Sequence, residues 1–151
     1  MSCDLIKRPN HLFWGDKFSA CLENCDEDIM LSIHSDCSTD DWRHLVKSCL
    51  KAYTTIPNLA VWAPFIDGAY LSLAGTHIMP IYGTPLHIVA NTDGMLFALS
   101  RDSIDRMKKA DYSDNIYGWG GTSLLFCAHA FTTNKFVVVD KSVHVKHPLG
   151  C

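Results

Sequence analysis

The sequence predicts an α/β domain in which helices flank a mixed β-sheet. Short apolar runs bounded by turn residues are typical of buried strands, and segments with apolar residues at helical spacing separate them. The strand-like runs are residues 29–33, 59–64, 86–91, 95–99 and 135–140. The chain has 151 residues, of which 48% are hydrophobic. Because this is enough for one compact domain with its own core, we expect residues 1–151 to form a single domain.

The helix after the first strand is the best defined in the sequence. Ser38 and Asp41 have the spacing of a capping box, so we expect the helix to begin near Thr39, with Asp40 and Asp41 in its first turn. Beyond this start, apolar residues recur at helical spacing and predict a face that packs on the sheet. They are Trp42, Leu45, Val46, Cys49, Leu50 and Tyr53.

Three further helices are predicted. A short one around Phe18 leads into the first strand, and another is capped by Ser100 or Asp102. The last follows the glycine-rich residues 115–123. Its predicted apolar face consists of Leu124, Leu125, Ala128 and Phe131.

The connection after the second strand is rich in prolines and glycines. We expect Pro64 to end that strand, because proline cannot donate to a sheet ladder. Residues 65–85 then form either a long irregular loop or a small edge hairpin, and the sequence leaves both alternatives open.

Charge and composition exclude several classes of function. The net charge is −3 and lysines and arginines are scattered, with no more than two in succession, so no basic stripe could follow a phosphate backbone, and we expect no nucleic-acid partner. No apolar run approaches the ~20 residues of a membrane span. The first residues are too polar for a signal peptide.

Seven cysteines, an odd number, fit reduced thiols in the cytoplasm better than a disulfide framework. Cys21 and Cys25 lie one helical turn apart and could hold a metal, which leaves a small zinc-binding regulatory domain as an alternative. No second cysteine or histidine pair has the spacing of a zinc site.

Three candidate site residues follow strand-like runs. Asp36 comes just after the first strand, Asp93 lies in a tight connection between two apolar segments, and His147 precedes a proline after the last strand. Because ligands of open α/β sheets bind beyond the carboxyl ends of the strands, we expect these side chains to gather around one pocket. His144 has the opposite strand parity to His147 and is its natural control.

Four sequence segments occur in a characteristic order. An apolar strand ending in an aspartate is followed by NTDGMLFALSRDSIDRM, then by YGWGG at the start of a helix, and then by a strand containing VHVKHP. This order resembles nucleotide-sugar-dependent glycosyltransferases of the GT-A fold, in the large group that includes bacterial and viral polysaccharide transferases. The fold that the resemblance implies is a partial GT-A, Rossmann-like mixed sheet flanked by helices.

The resemblance implies a metal site. In such enzymes the aspartate after the strand belongs to a DxD-type motif, whose last carboxylate binds manganese or magnesium and thereby holds the sugar diphosphate. Here the motif reads His34, Ser35, Asp36, so Asp36 would carry the metal and His34 would contact the nucleotide or the metal. A histidine near the end of the domain can join the metal, and His147 occupies that place.

The catalytic and sugar-binding roles carry over less completely. Inverting members often use an aspartate shortly after the GWG triplet as general base, but residues 121–123 read Gly-Thr-Ser. Asp93 is then the expected base, because its turn fixes its position. Trp119 resembles the aromatic surface on which such enzymes place an acceptor sugar. The expected donor-binding or acceptor-binding residues are His34, Asn91, Tyr117 and Trp119.

The resemblance therefore predicts a glycosyltransferase that moves a sugar from a nucleotide diphosphate donor to a hydroxyl of a glycan acceptor, with a divalent cation, Mn or Mg, as cofactor. Only 35 residues precede Asp36, too few for the strands that usually hold the nucleotide, so we expect a domain truncated at its amino terminus. A non-catalytic carbohydrate-binding or assembly module with the same fold is the alternative. The sheet edge left by missing strands could drive formation of a homodimer.

Overall fold

The structure is a computed structural model that describes residue 7 and residues 14–68, 76–110 and 119–148. This part of the chain contains a six-stranded mixed sheet and four helices, which confirms the predicted fold class of a mixed sheet flanked by helices. In chain order the elements are α1 (Trp14–Glu23), β1 (Ile29–Ile33), α2 (Trp42–Thr55), β2 (Leu59–Asp67), β3 (His77–Pro80), β4 (Leu86–Val89), β5 (Leu96–Ser100), α3 (Arg101–Met107), α4 (Trp119–Thr132) and β6 (Phe136–Lys146).

The strand order places three strand ends at one edge of the sheet. The order is β1-β5-β2-β6-β4-β3, in which β2 and β6 are parallel and all other neighbours are antiparallel. It follows that β1, β2 and β6 run in the same direction, so their carboxyl ends lie at the same end of the sheet. Strand β5 runs in the opposite direction and begins at this end. Segments that follow β1 and β6, or precede β5, therefore meet there.

Both faces of the sheet are covered, which explains why its central strands are continuously apolar. Alternate residues of β5 enter different layers: Phe97 and Leu99 pack on one face, whereas Leu96 and Ala98 pack on the other. Helices α1, α3 and α4 contribute buried side chains to the first layer. Helix α2 contributes Leu45 and its neighbours to the second.

Helix α2 begins after Asp41, whose side chain accepts a hydrogen bond from the backbone N–H of His44 at 2.9 Å. The prediction that the helix begins near Thr39, with Asp41 inside its first turn, is wrong. Ser38 instead forms an antiparallel bridge with Lys146, which holds this part of the loop in an extended conformation. Asp41 is the N-cap because its carboxylate satisfies a free N–H of the first turn.

Only part of the predicted apolar face of α2 packs on the sheet. Leu45 and Cys49 are buried, whereas Trp42, Val46 and Leu50 are 41–50% exposed. Ala52 completes the buried face. The apolar stripe in the sequence is wider than the helix surface that the sheet can cover.

Strand β2 does not end at Pro64, contrary to the prediction, but continues to Asp67. Pro64 pairs with Asp140, and residues 141–143 lie between this pair and the next, which is Phe65 with His144. The missing N–H of the proline therefore falls beside an existing irregularity of the ladder.

The segment after β2 includes an edge hairpin, one of the two expected alternatives. Strand β3 pairs antiparallel with β4 and forms one edge of the sheet. Residues 69–75 lie outside the described residues. At the other edge, β1 pairs only with β5 within the described chain, and the expected homodimer stays a prediction.

Helix α4 buries the face opposite to the predicted one. Phe126, Cys127 and Ala130 are at most 1% exposed and pack in the first layer. Leu124 and Phe131, from the predicted apolar face, are 58% and 39% exposed. Because both sides of this helix are apolar, periodicity alone could not identify its buried side. No helix in the described ranges is both long and apolar enough to cross a bilayer.

Candidate metal centre

The loop after β1 holds the first two site residues in a fixed turn. The backbone N–H of His34 donates to the carbonyl of Met95 at 2.9 Å, which ties the loop to the start of β5. The N–H of Cys37 donates back to the carbonyl of His34 at 3.1 Å, closing a turn around Asp36. The Cys37 thiol also contacts the Met95 carbonyl, at 3.8 Å. Backbone hydrogen bonds on both sides of Asp36 thus fix the position of its backbone.

The same loop is bound to the end of β6. The N–H of Ser38 donates to the carbonyl of Lys146 at 2.9 Å, and the N–H of Lys146 donates to the carbonyl of Ser38 at 2.8 Å. The Thr39 hydroxyl donates to the carbonyl of His144 at 2.9 Å. These bonds place His147, the residue after β6, directly beside the turn at Asp36.

His34, Asp36 and His147 form a cluster that could hold a metal ion. Each offers one ligand atom, and these atoms all lie within 4.8 Å of one another. The closest contact joins Nε2 of His147 to Oδ2 of Asp36, at 3.2 Å. The Asp36 side chain is 41% exposed and that of His147 only 9%. The cluster is therefore open to solvent on the side of the carboxylate.

The indole of Trp14 adds a contact that the sequence did not predict. Its N–H donates to Nε2 of His34 at 2.9 Å. Because Nε2 accepts this bond, it carries no proton, and His34 is the neutral tautomer with its proton on Nδ1. Neutral imidazole is the form that binds metals, but its one acceptor nitrogen here receives the indole N–H, so His34 would have to exchange this hydrogen bond for a metal ion to act as a ligand. No motif marks Trp14, since its role depends on where α1 packs.

Burial is the main cause of a lowered pKa at His34. The neighbouring His147 also lowers this pKa, whereas the negative charges of Asp36 and Asp93 act to raise it. Desolvation disfavours the imidazolium and outweighs the attraction of the carboxylates. The result is an imidazole that stays neutral to a lower pH than an ordinary histidine.

Asp93 lies near the cluster but is not one of its three members. It is only 8% exposed, and its charge raises the pKa values of both His34 and Cys37. Asn91 is also 8% exposed, and its side-chain carbonyl accepts the N–H of Thr92 at 2.9 Å. The structure thus brings Asp93 to the edge where the cluster lies, while the Asn91 oxygen is engaged in a local turn.

Two predicted sugar-binding residues cannot be placed. Tyr117 lies outside the described residues. Trp119 is the first residue of α4, and its side chain also lies outside what the structure describes. The control residue His144 is exposed and stacks near Phe65, with ring centroids 5.1 Å apart, and it is not a member of the cluster.

The cysteine pair gains no support as a zinc site. Cys21 is exposed and Cys25 is partly buried. Among the described residues, the group of three or more histidine, cysteine or acidic side chains that could hold a metal ion consists of His34, Asp36 and His147, and it includes neither cysteine. Within the described residues, neither cysteine has the further ligands that a structural zinc site requires.

The donor set of the cluster suits a particular kind of cation. Two imidazoles with one carboxylate match first-row transition metals such as Mn²⁺, Fe²⁺ and Zn²⁺, whereas Mg²⁺ prefers a shell of oxygen atoms. Three ligands also leave coordination positions for other oxygens. No protein-family model matches the chain, and no curated protein has a significantly similar sequence.

Proposed function

We propose that this chain is the metal-binding portion of a glycosyltransferase, which moves a sugar from a nucleotide diphosphate donor to a hydroxyl of a glycan acceptor. The observation that carries the proposal is the approach of His147 to Asp36, at 3.2 Å. The resemblance to GT-A enzymes implies that these two residues, one after an early strand and one after the last, can share a cation. The short distance between their side chains supports this proposal.

Within this proposal, His34, Asp36 and His147 hold a divalent cation. When bound, such a cation neutralises the negative charge of the leaving diphosphate. Two imidazoles favour manganese over magnesium. The exposed Asp36 side of the cluster supplies the direction from which phosphate oxygens approach.

Asp93 is the proposed general base. The negative charge of Asp93 acts to raise the pKa of His34, so Asp93 lies close to the cluster. Its position before β5 is fixed by the hydrogen bond between the Met95 carbonyl and the N–H of His34. A base must reach the acceptor hydroxyl to take its proton. The burial of Asp93 is the one observation that favours the alternative, a non-catalytic carbohydrate-binding or assembly module.

Nucleotide binding tests the proposal. Melting of the protein should be followed with manganese alone, with UDP or GDP alone, and with both. A ligand present at 100 times its Kd stabilises the folded state by ~2.7 kcal/mol. We expect stabilisation by one of the nucleotides that requires manganese and is abolished by Asp36→Ala, whereas His144→Ala retains it. Absence of any such shift would contradict the glycosyltransferase proposal and leave the binding module.

Asp93→Asn separates the two functions. If Asp93 is the base, this variant retains manganese-dependent nucleotide binding and loses transfer of the sugar to an acceptor by about 100-fold or more. If the chain is a binding module, wild type and variant bind glycan alike and neither transfers sugar.

A further inference from the structure

The solvent face of α4 is apolar along its whole described length. Leu124, Leu125 and Phe131 are 58%, 38% and 39% exposed, and Ala128 between them is also exposed. Their spacing places these four residues, which we call the α4 stripe, on one side of the helix. The helix contains no lysine, arginine, aspartate or glutamate. A helix that packs on a sheet normally carries polar residues on its outer side, so the α4 stripe requires another explanation.

A groove of about 480 Å³ runs between α3 and α4 beside this stripe. Its apolar walls include Met107, Ala110 and Leu125. Arg106 and Lys109 line the same groove, and both are exposed. The surface thus combines apolar side chains with two cations that can extend over them.

Within the described part of the chain, the cations of the groove are not paired with acidic side chains. The two acidic residues of α3 are already paired: Asp105 with Arg101 at 3.0 Å, and Asp102 with Lys135 at 2.6 Å. No salt bridge between described residues involves Arg106 or Lys109. The described residues at this end of the molecule therefore carry a local positive charge, although the whole chain has a net charge of −3.

We propose that the α4 stripe, together with Arg106 and Lys109, docks the protein on the surface of an anionic phospholipid bilayer. Binding at the membrane interface strengthens with the apolar area that enters it and with the attraction of cations to anionic lipids. Leu124, Leu125 and Phe131 enter the boundary of the acyl chains. Arg106 and Lys109 extend their charged ends to the lipid phosphates.

The charges of this surface distinguish the bilayer from other occupants. Two copies of the chain meeting through their α4 stripes would bring Arg106 and Lys109 of each copy towards those of the other, which disfavours self-association. A bilayer requires only apolar area and opposite charge. The proposal is independent of the metal centre and of sugar transfer.

Flotation with lipid vesicles tests this assignment. The full chain is mixed with vesicles of phosphatidylcholine alone, or of phosphatidylcholine with about one third phosphatidylglycerol, at low and at physiological salt. We expect flotation only with the anionic vesicles, and less at the higher salt. Leu124→Gln with Leu125→Gln, and separately Arg106→Glu with Lys109→Glu, should each weaken binding by about tenfold or more.

Matched controls distinguish this surface from general effects of charge and hydrophobicity. Lys47→Glu with Lys51→Glu makes the same charge change on the exposed side of α2, and Ile78→Gln with Met79→Gln removes exposed apolar residues from β3. Both control proteins should float like wild type. Failure of wild type to bind anionic vesicles, or equal loss in the controls, would overturn the proposal. Two other results would also overturn it if vesicles are not bound. One is a dimer that depends on the α4 stripe, and the other is stripe-dependent binding to polyglutamate, which serves as an acidic protein probe.

Discussion

The Nε2 atom of His147 lies 3.2 Å from the Oδ2 atom of Asp36, although the two residues come from opposite ends of the sequence. The sheet topology produces this contact, since β1 and β6 run in the same direction and end at the same edge. The bridge between Ser38 and Lys146 then draws the two following segments together. A backbone bridge between distant parts of the sequence therefore supports this pair of potential metal ligands.

Removing one hydrogen bond of that bridge should weaken the metal site. Ser38→Pro lacks the N–H that donates to the carbonyl of Lys146, whereas Ser38→Ala keeps it. We expect the proline variant to bind manganese about tenfold more weakly, as is typical when the support of a ligand is removed. Calorimetric titration of both variants measures the difference. Equal affinities would show that the bridge does not position Asp36.

Acidification should destabilise the protein through His34. Its pKa is lowered in the folded state, mainly by burial, so the unfolded chain binds a proton more readily. The stability linked to His34 is fully present above pH ~6.5 and is lost as the pH falls through the lower folded pKa. We expect the melting temperature to fall as the pH decreases from ~6.5 to the folded pKa of His34. The His34→Gln variant should show a smaller decrease in melting temperature over the same pH range. His87, whose pKa is also lowered, acts in the same direction and remains in both proteins.

A second variant tests whether the Trp14 indole bond also contributes to the lowered pKa of His34. Trp14→Phe keeps an aromatic ring but removes the indole N–H that donates to Nε2 of His34. Without this bond, Nε2 is free to accept a proton, so the pKa of His34 should rise. An NMR titration of the imidazole would measure it. An unchanged pKa would mean that the indole bond does not help keep His34 neutral.

The buried cysteines should react slowly with alkylating reagents. Burial raises the pKa of Cys37 to about 11 and the pKa values of Cys49 and Cys127 to about 12. At pH 8 only about one thiol in a thousand or fewer would then be the reactive thiolate. We expect iodoacetamide to label the exposed Cys21 before Cys37, Cys49 and Cys127, as followed by mass spectrometry, and urea to equalise the rates. Labelling of Cys127 as fast as Cys21 in the folded protein would contradict the structure.

The unpaired edge of β1 should support a homodimer. Within the described chain β1 has a neighbour on one side only, and Ile33 at its end is 43% exposed. A lysine at such a position opposes pairing of sheet edges. Ile33→Lys should therefore shift the protein towards monomer in sedimentation velocity, whereas Ile78→Lys on β3 should not. A wild-type protein that stays monomeric at high concentration would refute the dimer.

The sequence predicted most strands and the meeting of Asp36 with His147, because apolar runs and strand ends are local signals. It did not predict which side of α4 is buried, since Leu124 and Phe126 are both apolar and only the packed sheet distinguishes them. The start of α2 was misplaced because the Ser38 bridge to Lys146 is a long-range contact. Trp14 was missed for the same reason, as its partner His34 lies in another element.

Calorimetric titration with manganese chloride tests the central claim most directly, because the claim is that His34, Asp36 and His147 form one cation site. We predict that wild type binds one ion per chain, that Asp36→Asn and His147→Ala each weaken binding by at least tenfold, and that His144→Ala binds like wild type. Wild-type affinity in either the Asp36 or the His147 variant would contradict the account.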